Sequence, residues 1–189
     1  MKRGNLFILS APSGAGKSSV LSSLTEMEKT ITTSVSHTTR EPRGNEKNGF
    51  DYYFVSKSRF LEMVEDGDFL EFAEVFGNLY GTSKRAIAEK QEKGLDVILE
   101  IDWQGATQLM TLDSDITSIF LLPPSLSDLE ARLQKRGQDS QESINRRLAQ
   151  AEDDMRQSSN YQHILTNNIL EETRDQLFSI IKNRSEKKF

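Results

Sequence analysis

Near the N-terminus the chain reads "SAPSGAGKSS" (10–19), one position away from the phosphate-loop pattern G-x-x-x-x-G-K-[ST]. Ala11 stands where the pattern has glycine, while Gly16, Lys17 and Ser18 are intact. No other stretch constrains the fold as tightly. Such a loop needs a strand entering and a helix leaving, because its amides converge on an anion at the positive end of the helix. Both flanks comply. "NLFILS" (5–10) is a short apolar run that stops at a turn cluster, the form of a strand buried on both faces. "KSSVLSSLTEM" then places Val20, Leu21 and Leu24 on one helical face.

Within the loop, Gly14 and Gly16 permit the backbone angles that turn amides inward. Lys17 is placed to bridge the outer phosphates of a nucleoside triphosphate, and Ser18 to ligate its Mg²⁺. Ala11 is tolerable there, since a methyl is the smallest side chain available. Ala11, Pro12, Ser13, Gly14, Ala15, Gly16, Lys17, Ser18 and Ser19 are therefore the candidate ATP-binding stretch. A plain strand–turn–helix joint with a surface lysine is the alternative. The loop is silent on what accepts the phosphoryl group.

Two later runs, "VILEID" (97–102) and "SIFLLPP" (118–124), repeat the buried-strand form, and "HILT" (163–166) is a weaker candidate. Helical patterns at roughly 82–93, 104–112, 125–136, 141–158 and 170–184 separate them. Strands alternating with helices predict an α/β fold with a parallel sheet covered on both faces. Two stretches interrupt the alternation. Residues 36–81 carry turn clusters, short aromatic strands and one helix (57–65), and about 126–157 is helical and rich in Arg and Gln.

Composition narrows the chemistry. With 189 residues, 35% hydrophobic and 28% charged, the chain suits one soluble domain with insertions. A net charge of -5 argues against nucleic acid as the main partner, so anions must meet local Arg and Lys clusters. The absence of cysteine removes disulfides and thiolate metal sites, and His37 and His163 alone make no metal site. "MKRGNLFIL" opens as a signal peptide would, but its apolar run ends at Ser10, too short for a secretory core. A cytoplasmic protein without a membrane segment is expected.

"VILEID" brings Glu100 and Asp102 to one face near a strand end, where a Mg²⁺–water partner is expected, Asp102 acting through water. Ordinary polar strand-end residues are the alternative. "TTREPRG" sets Arg40 and Arg43 three residues apart in a turn held by Pro42, a pair that repels itself unless an anion lies between. Tyr52 and Tyr80 could add hydroxyl donors. Solvated loop arginines are the alternative here.

Longer motifs speak to the acceptor. "VSHTTREPRGNEKNGFDYYFV", "FLEFAEVFGNLYGT", "LEIDWQG", "LPPS" and "RLQKRG…ESINRRL", in this order, resemble guanylate kinase, and the resemblance covers nearly the whole chain. It implies a core of residues 1–35, 83–125 and 158–189, a GMP-binding insertion of 36–82 and a mobile lid of 126–157. It further implies that Arg40, Arg43, Tyr52 and Tyr80 hold the GMP phosphate, that Ser36, Glu71, Thr82 and Asp102 face guanine, and that Glu100 belongs with this GMP-binding set. Arg132, Arg136 and Arg147 match the lid arginines that join Lys17, Arg40 and Arg43 around the phosphates, and Asn167 matches a position beside the donor adenine. Two departures stand out: Asn167-Asn168-Ile169 replaces Asn-Asp-Asp, and Glu100 replaces the Asp of some relatives. The implied reaction is Mg²⁺-dependent phosphoryl transfer from ATP to GMP, with dGMP use and self-association left open. The competing readings are a non-catalytic interaction module of the same fold, which typically loses the loop lysine or glycines, and a kinase for another small phosphorylated acceptor.

Overall fold

We describe the protein from a computed structural model, which covers residues 2–136 and 140–186; the side chain of Arg136 lies outside the described set. The elements run β1 (Leu6–Ser10), α1 (Lys17–Met27), β2 (Ile31–Thr33), β3 (His37–Thr38), β4 (Tyr53–Phe54), α2 (Lys57–Glu65), β5 (Phe69–Val75) and β6 (Asn78–Ser83). They continue with α3 (Lys84–Glu92), β7 (Asp96–Glu100), α4 (Trp103–Leu112), β8 (Thr117–Leu122), α5 (Leu126–Arg136), α6 (Gln141–Arg156), β9 (His163–Thr166) and α7 (Leu170–Glu186).

Strand β1 is the centre of a five-stranded sheet of order β2-β7-β1-β8-β9, and every pairing in it is parallel. Its side chains alternate between two cores. Phe7 and Leu9 pack with Val20, Leu21 and Leu24 of α1 and with Leu177 and Ile181 of α7. Ile8 points the other way, into a cluster with Ile87 of α3 and Ala106 and Leu109 of α4. A parallel strand covered on both faces needs apolar side chains at every position, which is why its sequence reads as a run. Helices also start where the sequence offers a cap: Ser56, Ser83 and Ser140 accept from Arg59, Ala86 and Ser143 backbone amides.

A second sheet, of order β4-β3-β6-β5, stands on the insertion, with β5 and β6 antiparallel. Phe60 of α2 stacks on Phe69 of β5 at 4.6 Å between ring centres, the nucleus of a small separate core. Helices α5 and α6 share a third apolar contact through Leu129, Leu133, Ile144 and Ala151.

Two differences from the sequence reading are informative. Strand β2 has no signature in the sequence because three residues, Ile31–Thr33, carry no periodicity; pairing with β7 makes it a strand. The strand expected over 97–102 stops at Glu100, and Asp102 is instead the N-cap of α4, its Oδ1 accepting from Gly105 N at 3.0 Å. Glu100 and Asp102 therefore do not share a strand face. A carboxylate immediately before a helix competes better as a cap than as a ladder residue. No helix among the described residues is long and apolar enough to cross a membrane.

Candidate active site

The carboxyl ends of β1 and β7 open onto a cleft of about 1060 Å³, the position where open parallel sheets hold ligands. The loop after β1 forms its floor. Gly14 and Gly16 have φ of 94° and 97°, in the left-handed region that favours glycine. Gly16 is bound by space as well, since a Cβ there would lie 2.3 Å from Asn167 Nδ2. The Ala15 carbonyl accepts from Asn167 Nδ2 at 2.8 Å and from Arg132 NH1 at 3.0 Å. In a planar trans peptide the Gly16 N–H must point the opposite way, so these two donors orient the amide that follows. Arg132 NH2 also donates to the Asn167 carbonyl, and Arg147 NH1 donates to Ser13 Oγ at 3.1 Å. Asn167, Arg132 and Arg147 thus meet the loop directly.

At the mouth of the loop, Ser18 Oγ donates to Glu100 Oε1 at 2.8 Å, and Lys17 Nζ lies 4.0 Å from the same oxygen. Lys17 also donates to the Ile101 carbonyl at 3.4 Å. Glu100, rather than Asp102, is the carboxylate beside Ser18. Both oxygens of Asp102 are engaged by its own helix, from Gly105 N and from Gln104 Nε2. A hydroxyl and a carboxylate side by side are hard oxygen donors of the kind Mg²⁺ takes alongside nucleotide phosphates and water, so the residues present fit that ion.

Across the cleft the second sheet presents the acceptor candidates. Arg40 is buried, and its NH2 donates to both carboxylate oxygens of Glu46 at 2.9 Å. Its guanidinium carbon lies 5.3 Å from the centre of the Tyr52 ring, and Tyr80 lines the cleft beside it. Glu46 also accepts from the Arg43 backbone amide at 2.8 Å, while the Arg43 side chain is exposed along the cleft. The anion that the arginine turn requires is in part the protein's own. Burial raises the Glu46 carboxyl, but the Arg40 guanidinium and the Arg43 amide outweigh it and hold it below its ordinary value. Burial pushes the Tyr52 hydroxyl up to about 12, so it remains a donor at neutral pH.

Glu71 is only 4% exposed, which excludes the solvent-facing strand position that the alternation in "FLEFAEVF" also allowed. It sits opposite Thr82 in the β5–β6 register, and the Thr82 hydroxyl and amide favour its ionised form. Ser36 Oγ lies 3.4 Å from Thr82 Oγ1. Burial drives the Glu71 carboxyl up to about 7; the Thr82 hydroxyl opposes this, the Asp102 charge adds to it, and the Thr82 amide opposes it again. A buried carboxylate beside two hydroxyls, across a cleft from a phosphate loop, is what a purine with adjacent ring and amino N–H groups would complement.

The guanylate kinase family model matches residues 3–184. The chain belongs to the guanylate kinase family. It is 48% identical to guanylate kinase of Hahella chejuensis over 182 residues, covering 96% of this chain and 88% of that one. It is 51% identical to guanylate kinase of Vibrio parahaemolyticus over 169 residues, covering 88% of this chain and 82% of that one. The crystal structure of guanylate kinase from Anaplasma phagocytophilum superposes with a TM-score of 0.80 at 36% identity, covering 96% of this chain and 86% of that one. Guanylate kinases are ATP:GMP phosphotransferases, and the parallel-sheet core with its helices is the fold of this family.

Most of the residues selected from sequence line one cleft: the loop from Ala11 to Ser19 apart from Ala15, with Ser36, Arg40, Arg43, Tyr52, Glu71, Tyr80, Glu100, Asp102, Arg132, Arg147 and Asn167. Ala15 acts through its carbonyl, and Thr82 is buried behind Glu71 and Ser36. Arg136 lies outside the described side chains. Glu46, Arg146, Asp154 and Phe76 also line the cleft and were not singled out from sequence. Phe76 carried a visible signal, the hairpin turn "VFGN", where it adopts φ 50° beside Gly77 at 76°. Asp154 carried none, because only the fold brings α6 beside Trp103 and Asp102.

Proposed function

We propose that the chain transfers the γ-phosphoryl group of ATP to GMP, giving ADP and GDP, and that the named residues divide the work between two sides of the cleft. The observation that carries this reading is the buried Glu71 carboxylate, opened to the cleft opposite the phosphate loop and backed by Thr82 and Ser36. Guanine offers a ring N–H and an exocyclic amino group side by side, and one carboxylate accepts both. Adenine sets a bare ring nitrogen there, so AMP would leave the carboxylate desolvated against a lone pair.

On the donor side, the amides of residues 13–18 and Lys17 hold the β- and γ-phosphates. Ser18 and Glu100 would hold Mg²⁺, which would neutralise charge on the phosphate oxygens, and Asp102 lies two residues beyond Glu100 as the cap of α4. On the acceptor side, Arg40, Arg43, Tyr52 and Tyr80 orient the GMP phosphate. Its attacking oxygen is already anionic, so the reaction needs no general base. Phosphoryl transfer through a loose transition state is served mainly by positioning and by charge stabilisation. Arg132 and Arg147 are anchored on the loop at Ala15 and Ser13, which supports their action on the transferring group. We assign residues 36–82 to GMP binding and 126–157 to a lid that closes over both nucleotides, excluding water as the competing acceptor. Asn167 belongs with the donor side through its contact with Ala15.

A panel of GMP, dGMP, AMP, CMP, UMP and ribose phosphates with MgATP, following ADP, tests the assignment. Turnover with GMP above all others is expected. Equal turnover of AMP would remove the role of Glu71, and no turnover with any acceptor would favour a non-catalytic module.

A further inference from the structure

Helix α4 carries a glycine that its own backbone does not need. Gly105 is the third residue of the helix that Asp102 caps, and it is absent from the glycines with left-handed φ. Glycine is among the poorest helix formers. The reason for it lies across the contact. A Cβ at position 105 would stand 2.2 Å from Glu71 Oε2 and 3.0 Å from Glu71 Cδ. The bare Cα of Gly105 therefore forms one wall of the space that holds the Glu71 carboxylate, and Thr82 forms another.

We propose that Gly105 is a positioning residue for guanine recognition, its missing side chain fixing where the Glu71 carboxylate can lie. The inference rests on the reading of Glu71 given above. With alanine at 105, one partner must move by about 1 Å to restore ordinary contact. The helix is poorly placed to yield, because α4 is tied along β5 by its own glutamines. Gln108 Nε2 donates to the Phe72 carbonyl at 2.7 Å, and Gln104 Nε2 donates to the Glu74 carbonyl at 3.2 Å. The end of a long carboxylate side chain yields more easily than a helix clamped at two points. A carboxylate displaced by that distance no longer aligns both oxygens with a ring N–H and an amino group, and misplacement on this scale costs up to about a hundredfold.

The test is steady-state kinetics of Gly105→Ala with ATP and either GMP or IMP, whose base keeps the ring N–H and lacks the amino group. The expected result is a rise of about tenfold or more in KM for GMP, with a much smaller change in kcat and none in KM for ATP. The preference for GMP over IMP should shrink, because IMP never made the second bond. In the double variant Gly105→Ala with Glu71→Asp, the shorter side chain withdraws from the new methyl, so the two effects should combine less than additively. If Gly105→Ala alone does not fold, a folded double variant still supports crowding at Glu71. Two unfolded variants would overturn it. Glu71→Gln separates this inference from the reading beneath it. Should that variant use GMP as the parent does, base reading by Glu71 falls. Should it lose GMP while Gly105→Ala keeps the parent's KM and GMP:IMP ratio, only the role of Gly105 falls.

Discussion

Replacing Glu71 with glutamine should make the protein more stable and less able to use GMP, and the size of both effects follows from one buried group. Its carboxyl is raised from 4.5 to about 7, burial being the largest cause. The sign is that of an acid whose folded form holds its proton more tightly than the unfolded chain does. The favourable contribution is complete below about 4.5 and is lost as pH rises through about 7. At about 1.4 kcal/mol for each tenfold change, ionising this group in the folded protein costs about 3 kcal/mol above pH 8. Glutamine keeps an acceptor for Thr82 and carries no charge, so that cost disappears. In a chain of this size 1 kcal/mol moves the thermal midpoint by about 2–4 °C, so a gain of roughly 6–12 °C is the upper bound at pH 8.5. Little gain is expected at pH 5, where the parent carboxyl is protonated in the fold. Thermal or urea unfolding of both proteins at the two pH values measures the difference. Over the same substitution, catalytic efficiency with GMP should fall at least about a hundredfold, from two lost charge-assisted bonds worth roughly 3 kcal/mol together. A stability difference independent of pH would refute the buried-charge argument, and unchanged GMP use would refute its link to substrate.

The same group predicts that GMP affinity is pH-dependent: guanine needs the ionised carboxylate, so affinity measured by calorimetry should weaken up to about tenfold per pH unit below 7 and level off above it. Lys17→Met should abolish transfer while leaving the circular dichroism spectrum unchanged, and near-normal turnover would exclude the loop as donor site. Arg40→Ala should raise the GMP requirement about tenfold or more, a charge-assisted bond being worth roughly 1.5–3 kcal/mol, with ATP affinity by equilibrium titration almost unaltered.

What could be read from sequence was whatever depends on neighbours along the chain. Helix α2 (Lys57–Glu65) and strand β9 (His163–Thr166) fall where their patterns placed them, because a serine cap and a short apolar run are local signals. The loop was legible for the same reason, since its lysine, hydroxyl and glycines lie within five residues. Asp102 was misplaced because an apolar run ending in acids looks the same whether the last acid continues a strand or caps a helix. Glu46 was missed because its partner Arg40 lies six residues away across a turn whose shape only the second sheet defines. Gly105 could not be explained at all from sequence. Its neighbour is Glu71, delivered by a different sheet.

The position of β1 in the sheet has a consequence for the life of the chain before it is complete. The loop that holds phosphate follows residue 10, yet β1 finds both of its neighbours, β7 and β8, in the second half of the sequence. Parallel neighbours this distant pair only after a long loop has closed, the slow kind of assembly. Helix α1 can flicker in and out early, but the contacts that orient the Gly16 amide form only once Asn167 and Arg132, both later in the chain than β8, have reached the Ala15 carbonyl. A chain still being synthesised therefore carries the loop sequence long before it can grip a nucleotide.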